Sequence, residues 1–184
     1  RSCTFHPSKF IQAPVVYPSA FATPLAVDRG SAAVWPSLRR LHTRGSIILI
    51  VAHPDDEDSG MLAYESRDQG VDTTLLTLNR GEGGQNVMSS DYWDQLGLLR
   101  TQELLAARRV DGARQFFTRA NDFGFSKTAA ETFTIWDKEQ VLSDMVWVIR
   151  QRRPDVLRTR FPPDALPGRG PHTAGHLPAT RAYD

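Results

Sequence analysis

Apolar positions sort this chain into short strands alternating with amphipathic helices. Ser46-Ile-Ile-Leu-Ile-Val-Ala52 is β-branched and apolar at successive positions, as in a central parallel strand buried on both faces. Val71 to Leu78 reads as a second buried strand, Gln115 to Thr118 as a short one, and Asp155 to Phe161 as the next. Between them, Glu57 to Gln69 predicts a helix with Met61, Leu62 and Tyr64 turned inward, ending at Gly70. Asp94 to Val110 predicts a longer helix whose face is set by Leu98, Leu99, Glu103, Leu104 and Leu105, closed by Gly112. Asp137 with Gln140 is a capping pair opening a helix to about Arg152, with Leu142, Met145, Val146 and Ile149 at core spacing. Ser31 to Leu41 predicts a short helix with Val34, Leu38 and Leu41 on one face. Strand alternating with helix predicts an α/β fold with a parallel sheet covered on both faces.

Proline marks where this order lies. Five of the twelve prolines fall in residues 1–45, one is Pro54 and six fall in 154–184, so nothing interrupts the chain from Asp55 to Arg153. Residues 1–26 have no clear period and read as an irregular lead-in, leaving 27–184 as one domain. The 184 residues suit a single domain with a real core. With 22 basic against 21 acidic side chains, charge gives no reason to expect nucleic acid as partner. No apolar run reaches the roughly 20 residues that span a bilayer, and the compartment stays open between cytoplasm and export. One cysteine, Cys3, excludes an internal disulfide and a cysteine-based zinc ribbon, so metal ligation falls to oxygen and nitrogen. The chain opens at Arg1, which reads as a fragment or a processed product.

In parallel sheets ligands bind beyond the carboxyl ends of the strands, near the switch in strand order. Directly after the first strand come His53-Pro54-Asp55-Asp56-Glu57. Pro54 keeps His53 extended at the strand tip. An imidazole and a carboxylate three positions apart can converge on one divalent cation, leaving Asp55 free for proton transfer to a metal-bound water. The plainer alternative is an acidic run that caps a helix N-terminus. AHPDDE after the first strand and LNRGEGGQN after the second, extended by RTQELLAARR, DFGFSKT and VIRQRRPDV, resemble the PIG-L/LmbE-like family of metal-dependent N-deacetylases over about Val27 to Ala174.

The resemblance implies a Rossmann-like, three-layer αβα fold with a mostly parallel sheet, and removal of acetyl groups from N-acetylglucosamine-type sugars or glycoconjugates. It implies Zn2+, or Fe2+, held by His53, Asp56 and His172, with Asp55 as general base. His172 matches the third ligand and stands ahead of His176, four positions on. Arg80 and Glu82 match a substrate loop, whose glycines lack the dinucleotide spacing, and Asp122 matches a group meeting a sugar hydroxyl. Arg100 and Glu103, one turn apart, read either as an exposed ion pair or as a brace beneath the site.

Two departures stand out. Where the family shows a histidine three positions before the third ligand, this chain has Arg169, which can stabilise negative charge but cannot donate a proton near neutral pH. Residues 162–184 hold five prolines and little apolar content, which predicts a tail cut short of the last covering helix. The leading expectation is therefore a zinc-dependent N-deacetylase. The alternative is a non-catalytic carbohydrate-binding relative or an inactive fragment. Oligomeric state has no signature in the sequence.

Overall fold

The computed structural model describes residues 28–84, 86–87, 89–161 and 170–183. The lead-in over 1–26 and Arg169 therefore lie outside the described residues. Four parallel strands form one sheet: β1 (Ser46–Val51), β2 (Asp72–Thr77), β3 (Arg114–Phe117) and β4 (Val156–Thr159), in the order β3-β2-β1-β4. β1 runs beside β2 from Ser46↔Asp72 to Val51↔Thr77, and beside β4 from Ile47↔Val156 to Ile50↔Thr159. The chain steps outward from β1 to β2 to β3 and then crosses back to the other side of β1. The switch in strand order thus lies between β1 and β4, where such sheets bind their ligands.

The helices are α1 (Ser31–Arg39), α2 (Ser59–Ala63, continued by a π-helical turn Tyr64–Asp68), α3 (Asp94–Asp111), α4 (Ala129–Ile135), α5 (Lys138–Arg152) and α6 (Gly170–Tyr183). No helix among the described residues is long and apolar enough to cross a membrane. Alternation along β1 divides the core as its sequence requires. Ile48 and Ile50, with Leu76 and Leu78, join the larger cluster, with Val141, Met145 and Val148 of α5 and Ala174 and Ala179 of α6. Leu49, Val51 and Leu75 join a smaller one on the opposite face with Leu62 of α2 and Ala113.

Caps read from sequence sit where expected. Asp137 accepts from the Gln140 amide at the start of α5, and Gly112 closes α3 in the left-handed conformation. The faces differ in detail. α3 turns Gly97, Thr101, Leu104, Arg108 and Asp111 inward, and Leu98 and Leu99 are exposed. Two charges belong to that face because Arg108 and Asp111 neutralise each other at 2.6 Å, a pairing that an apolar pattern cannot register. The α5 stripe is Val141, Met145, Val148 and Ile149, and it includes Asp144, gripped by Arg119 at 2.7 Å. Tyr64 is exposed rather than inward. Among the described residues α1 buries none of its own, and Val34, Leu38 and the following Leu41 are exposed. The helix is held instead by Arg39 donating to the Asp68 carbonyl and by close passage of its end over Gly70.

The largest correction concerns the tail, whose prolines argue against a covering helix. α6 is that helix, with Pro178 inside it. Pro171 lies in the first turn, where its missing N–H has no intrahelical partner to lose. The cost of Pro178 is offset by close packing of small residues. Ala174 and Ala179 are fully buried, and a Cβ on Gly175 would come 2.8 Å from Leu78 Cδ1.

Candidate active site at the switch point

β1 delivers the first two donors as a closed local unit. The Asp56 amide donates to the His53 carbonyl, and Asp56 Oδ2 accepts from the His53 amide at 2.8 Å. That turn leaves Asp56 Oδ2 3.3 Å from His53 Nδ1. Asp58, two residues on, caps α2 by accepting from the Met61 amide. The third donor comes from α6: His172 Nε2 lies 3.2 Å from Asp56 Oδ1. The two imidazoles meet edge to face with centroids 5.0 Å apart, and the Phe161 ring packs on His172 at 4.2 Å.

Charge follows from this enclosure. Burial alone would raise the Asp56 carboxyl, but hydrogen bonds from His172, from His53 and from the His53 amide outweigh it and hold the carboxyl well below the usual range. Burial likewise opposes charge on His53, yet Asp56, with Asp122 and Asp55 nearby, raises its pKa above the ordinary value. A concentration of negative charge facing imidazoles favours any cation placed among them.

The donor set fits a divalent metal. One ligand atom from each of His53, Asp56 and His172 falls within 4.8 Å of the others. A tetrahedral zinc holds its ligand atoms at about 2.0–2.1 Å and hence about 3.4 Å apart, and here His53 Nδ1 lies 3.3 Å from one Asp56 oxygen and His172 Nε2 3.2 Å from the other. His172 Nδ1 is buried and lacks a hydrogen-bond partner among the described residues, as a metal-site imidazole still owed a neighbour would be.

These residues open into a cleft of about 440 Å³. Asp55 is exposed on its wall beside Asp56. Arg100, Asp122, Phe125, Ser126, Gly81, Gly83 and Gly84 line the same cleft. Asp122 ties two loops together, accepting from the amides of Gly83 at 3.3 Å and Gly124 at 2.9 Å, and lies 3.9 Å from His53 Nε2. The close passage of Gly83 over Asp122 leaves no room for a Cβ, 2.7 Å from the Asp122 carbonyl oxygen, which accounts for the glycine.

Other expected site residues take different places. Arg80 sets its guanidinium over the Phe117 ring, and Glu82 accepts from the Arg80 amide, its carboxyl pushed up chiefly by burial. Neither lines the cleft among the described residues. Arg100 reaches the cleft wall against Gly81, whereas Glu103 is exposed on α3. His176 points to Thr159, with Nδ1 2.9 Å from its Oγ1, and is outside the donor group. Phe161 and Ser126 were not singled out by the sequence. Ser126 Oγ is hydrogen-bonded to Thr132 nearby in the chain, and its carbonyl receives the Gly170 amide, a pairing that only the packed tail creates.

A family model described as GlcNAc-PI de-N-acetylase, PIG-L, matches residues 48–183. The chain belongs to the PIG-L family. The 1D-myo-inositol 2-acetamido-2-deoxy-alpha-D-glucopyranoside deacetylase of Rhodococcus jostii RHA1 is 33% identical over 156 residues, covering 75% of this chain and 53% of that protein. The enzyme of the same name from Rhodococcus opacus B4 is 34% identical over 158 residues, with 75% and 53% covered. The chain thus spans about half the length of the curated relatives it matches. Among solved structures, the N,N'-diacetylchitobiose deacetylase of Pyrococcus horikoshii aligns with TM-score 0.58 at 19% identity, over 84% of this chain and 58% of that one. A 4-carboxy-2-hydroxymuconate hydratase from Pseudomonas putida KT2440 aligns with TM-score 0.55 at 19% identity, over 75% and 55%. These two likenesses establish the PIG-L α/β fold, and a hydratase beside a deacetylase shows that the fold alone does not choose the reaction.

Proposed function

We propose that this chain carries the catalytic centre of a zinc-dependent N-deacetylase that hydrolyses the acetamido group of an N-acetylglucosamine-type sugar or glycoconjugate. The observation that carries it is the convergence of His53, Asp56 and His172 in one cleft with an uncommitted carboxylate, Asp55, on its wall. The PIG-L match and the names of the relatives point to the same substrate class. Zn2+, or Fe2+ in its place, would be held by those three side chains and would supply a Lewis acid that polarises the amide carbonyl and activates water.

The chain's own residues supply the rest. Asp55, exposed and adjacent to a ligand, accepts the proton of the attacking water and returns it to the departing amine, so that amide and water become acetate and amine. Asp122 offers a carboxylate to a sugar hydroxyl while its backbone-amide partners hold it still. Arg100 adds a guanidinium to the lining of the same cleft. Arg80 and Glu82 shape the glycine-rich loop, Arg80 over the Phe117 ring and Glu82 through its carboxylate, which accepts from the Arg80 amide. Arg169, at the position where the family shows a histidine, is assigned to stabilising the developing oxyanion on that resemblance.

The test is Asp55→Asn, assayed for free amine and acetate from N-acetylglucosamine and its glycosides after zinc loading. The expected result is a loss of turnover of about 10²–10⁴-fold with zinc content unchanged. Equal turnover by the variant, or no amine release by the zinc-loaded wild-type chain with any such sugar, would overturn the reading.

A further inference from the structure

We infer that Thr159 and His176 form a positioning pair that sets His172 in register with Asp56, an inference that rests on the reading of His172 as a metal ligand. His172 stands in the first turn of α6, and helix ends fray unless something holds them. Backbone bonding is weaker support here, since Pro178 inside the helix has no N–H to bond back to the preceding turn. Yet the ligand must be held within about 0.5 Å of its working position. A slip of α6 by one residue would translate it about 1.5 Å and turn it about 100°, removing His172 from Asp56.

Thr159 blocks that slip. It is the last residue of β4, hydrogen-bonded in the sheet to β1, so its position is fixed by the strand that also carries the first two ligands. Its Oγ1 meets His176 Nδ1 at 2.9 Å. His176 lies four residues after His172 and therefore on the same face of α6, one turn deeper. Two residues beyond Thr159, Phe161 lays its ring on His172 at 4.2 Å. The β4 tip thus grips α6 at two successive turns of one face, fixing both rotation and height. His176, a histidine so close to the donor group, acts through His172 and touches neither cation nor substrate.

The test measures binding of Zn2+ by competition with a chromophoric chelator, and the visible spectrum of the Co2+-loaded chain. Thr159→Val, which exchanges a hydroxyl for a methyl at equal size, and His176→Leu are each expected to weaken binding about 10–100-fold and to alter the Co2+ bands. Thr159→Ser and His176→Asn, which restore a polar atom near the same place, are expected to recover most of the affinity. The double variant Thr159→Val/His176→Leu should be no weaker than Thr159→Val alone, because that variant already removes the bond to His176 together with the bond of the same hydroxyl to the Phe161 carbonyl. Ala179→Gly, one turn away in the same helix, serves as the structural control and should lower Tm while leaving the Co2+ spectrum unchanged. Affinities of both single variants within twofold of wild type would overturn the positioning role and leave the metal site standing, as would an Ala179→Gly loss equal to theirs. Should His176→Leu fail to fold, Thr159→Val decides alone. A wild-type chain that retains neither Zn2+ nor Co2+ would overturn the metal reading itself, and the positioning role with it.

Discussion

His53 and Asp56 leave the tip of β1 three positions apart and close on each other through their own backbone, whereas His172 arrives from α6, 116 residues beyond Asp56. The first half of the donor set is local. A buried strand aims it, Pro54 limits its backbone, and one turn completes it. The second half is built by tertiary contact alone: small residues against Leu78, a carbonyl on Ser126, and two grips from the end of β4. The difference teaches that a proposed metal site can join a robust half to a fragile one, and that lesions where α6 begins or where it meets the β4 tip should act on metal binding well before they act on the sheet.

The largest expected effect is on the ligand itself. His172→Ala should abolish tight zinc retention, measured as metal per chain after desalting, while far-UV circular dichroism stays that of the wild type. Retention of one zinc by the variant would show that α6 does not complete the site and would break the comparison outright. Next comes Gly170→Ala. A Cβ there would sit 2.1 Å from Ser126 Oγ and 2.7 Å from the Thr128 carbonyl oxygen, so the start of α6 must move. The expected cost is about 1–3 kcal/mol in chemical denaturation. Zinc affinity should fall with it, because His172 is two residues on. A destabilised variant with unaltered affinity would mean that the third ligand is less dependent on α6 seating than its contacts imply.

The smallest effect tests the β1 side. Asp155, before β4, accepts from the Ser46 hydroxyl and amide, both at 2.8 Å, and these bonds lower its carboxyl below the ordinary value. The stabilisation they give is present above the ordinary carboxylate range and is lost as pH falls through the depressed folded value. Asp155→Asn should therefore lower Tm slightly at neutral pH, with the gap to wild type closing in acid, and zinc affinity should not change. A gap that widened in acid would reverse the assigned sign. A loss of zinc binding would show that the base of the sheet is coupled to the site.

Much of this was legible in the residues. The strands announced themselves by continuous β-branched runs, Gly112 and Asp137 by cap chemistry, and His53 and Asp56 by standing at a strand tip in one short motif. Other features were not. Arg108, Asp111 and Asp144 are buried charges whose partners were needed to make burial tolerable, so an apolar stripe found Leu104, Met145 and Ile149 but not the polar members of the inner faces of α3 and α5. α6 was hidden because its stability comes from small residues seated on a sheet and runs against its own proline content. Arg80 and Glu82 sat in a loop read as substrate-facing, and only the fold showed one side chain on Phe117 and the other folded back on the loop.

By itself the sequence determined the parallel sheet, the place of the first two donors and the family, because each is fixed by neighbours within a few residues or by a motif of fixed spacing. Only the tertiary structure decided that the tail is a helix, that His172 meets Asp56 while His176 turns to Thr159, and that Arg100 and Asp122 line one cleft with Asp55. Those outcomes depend on contacts between residues far apart in the chain, whose energies local pattern does not contain.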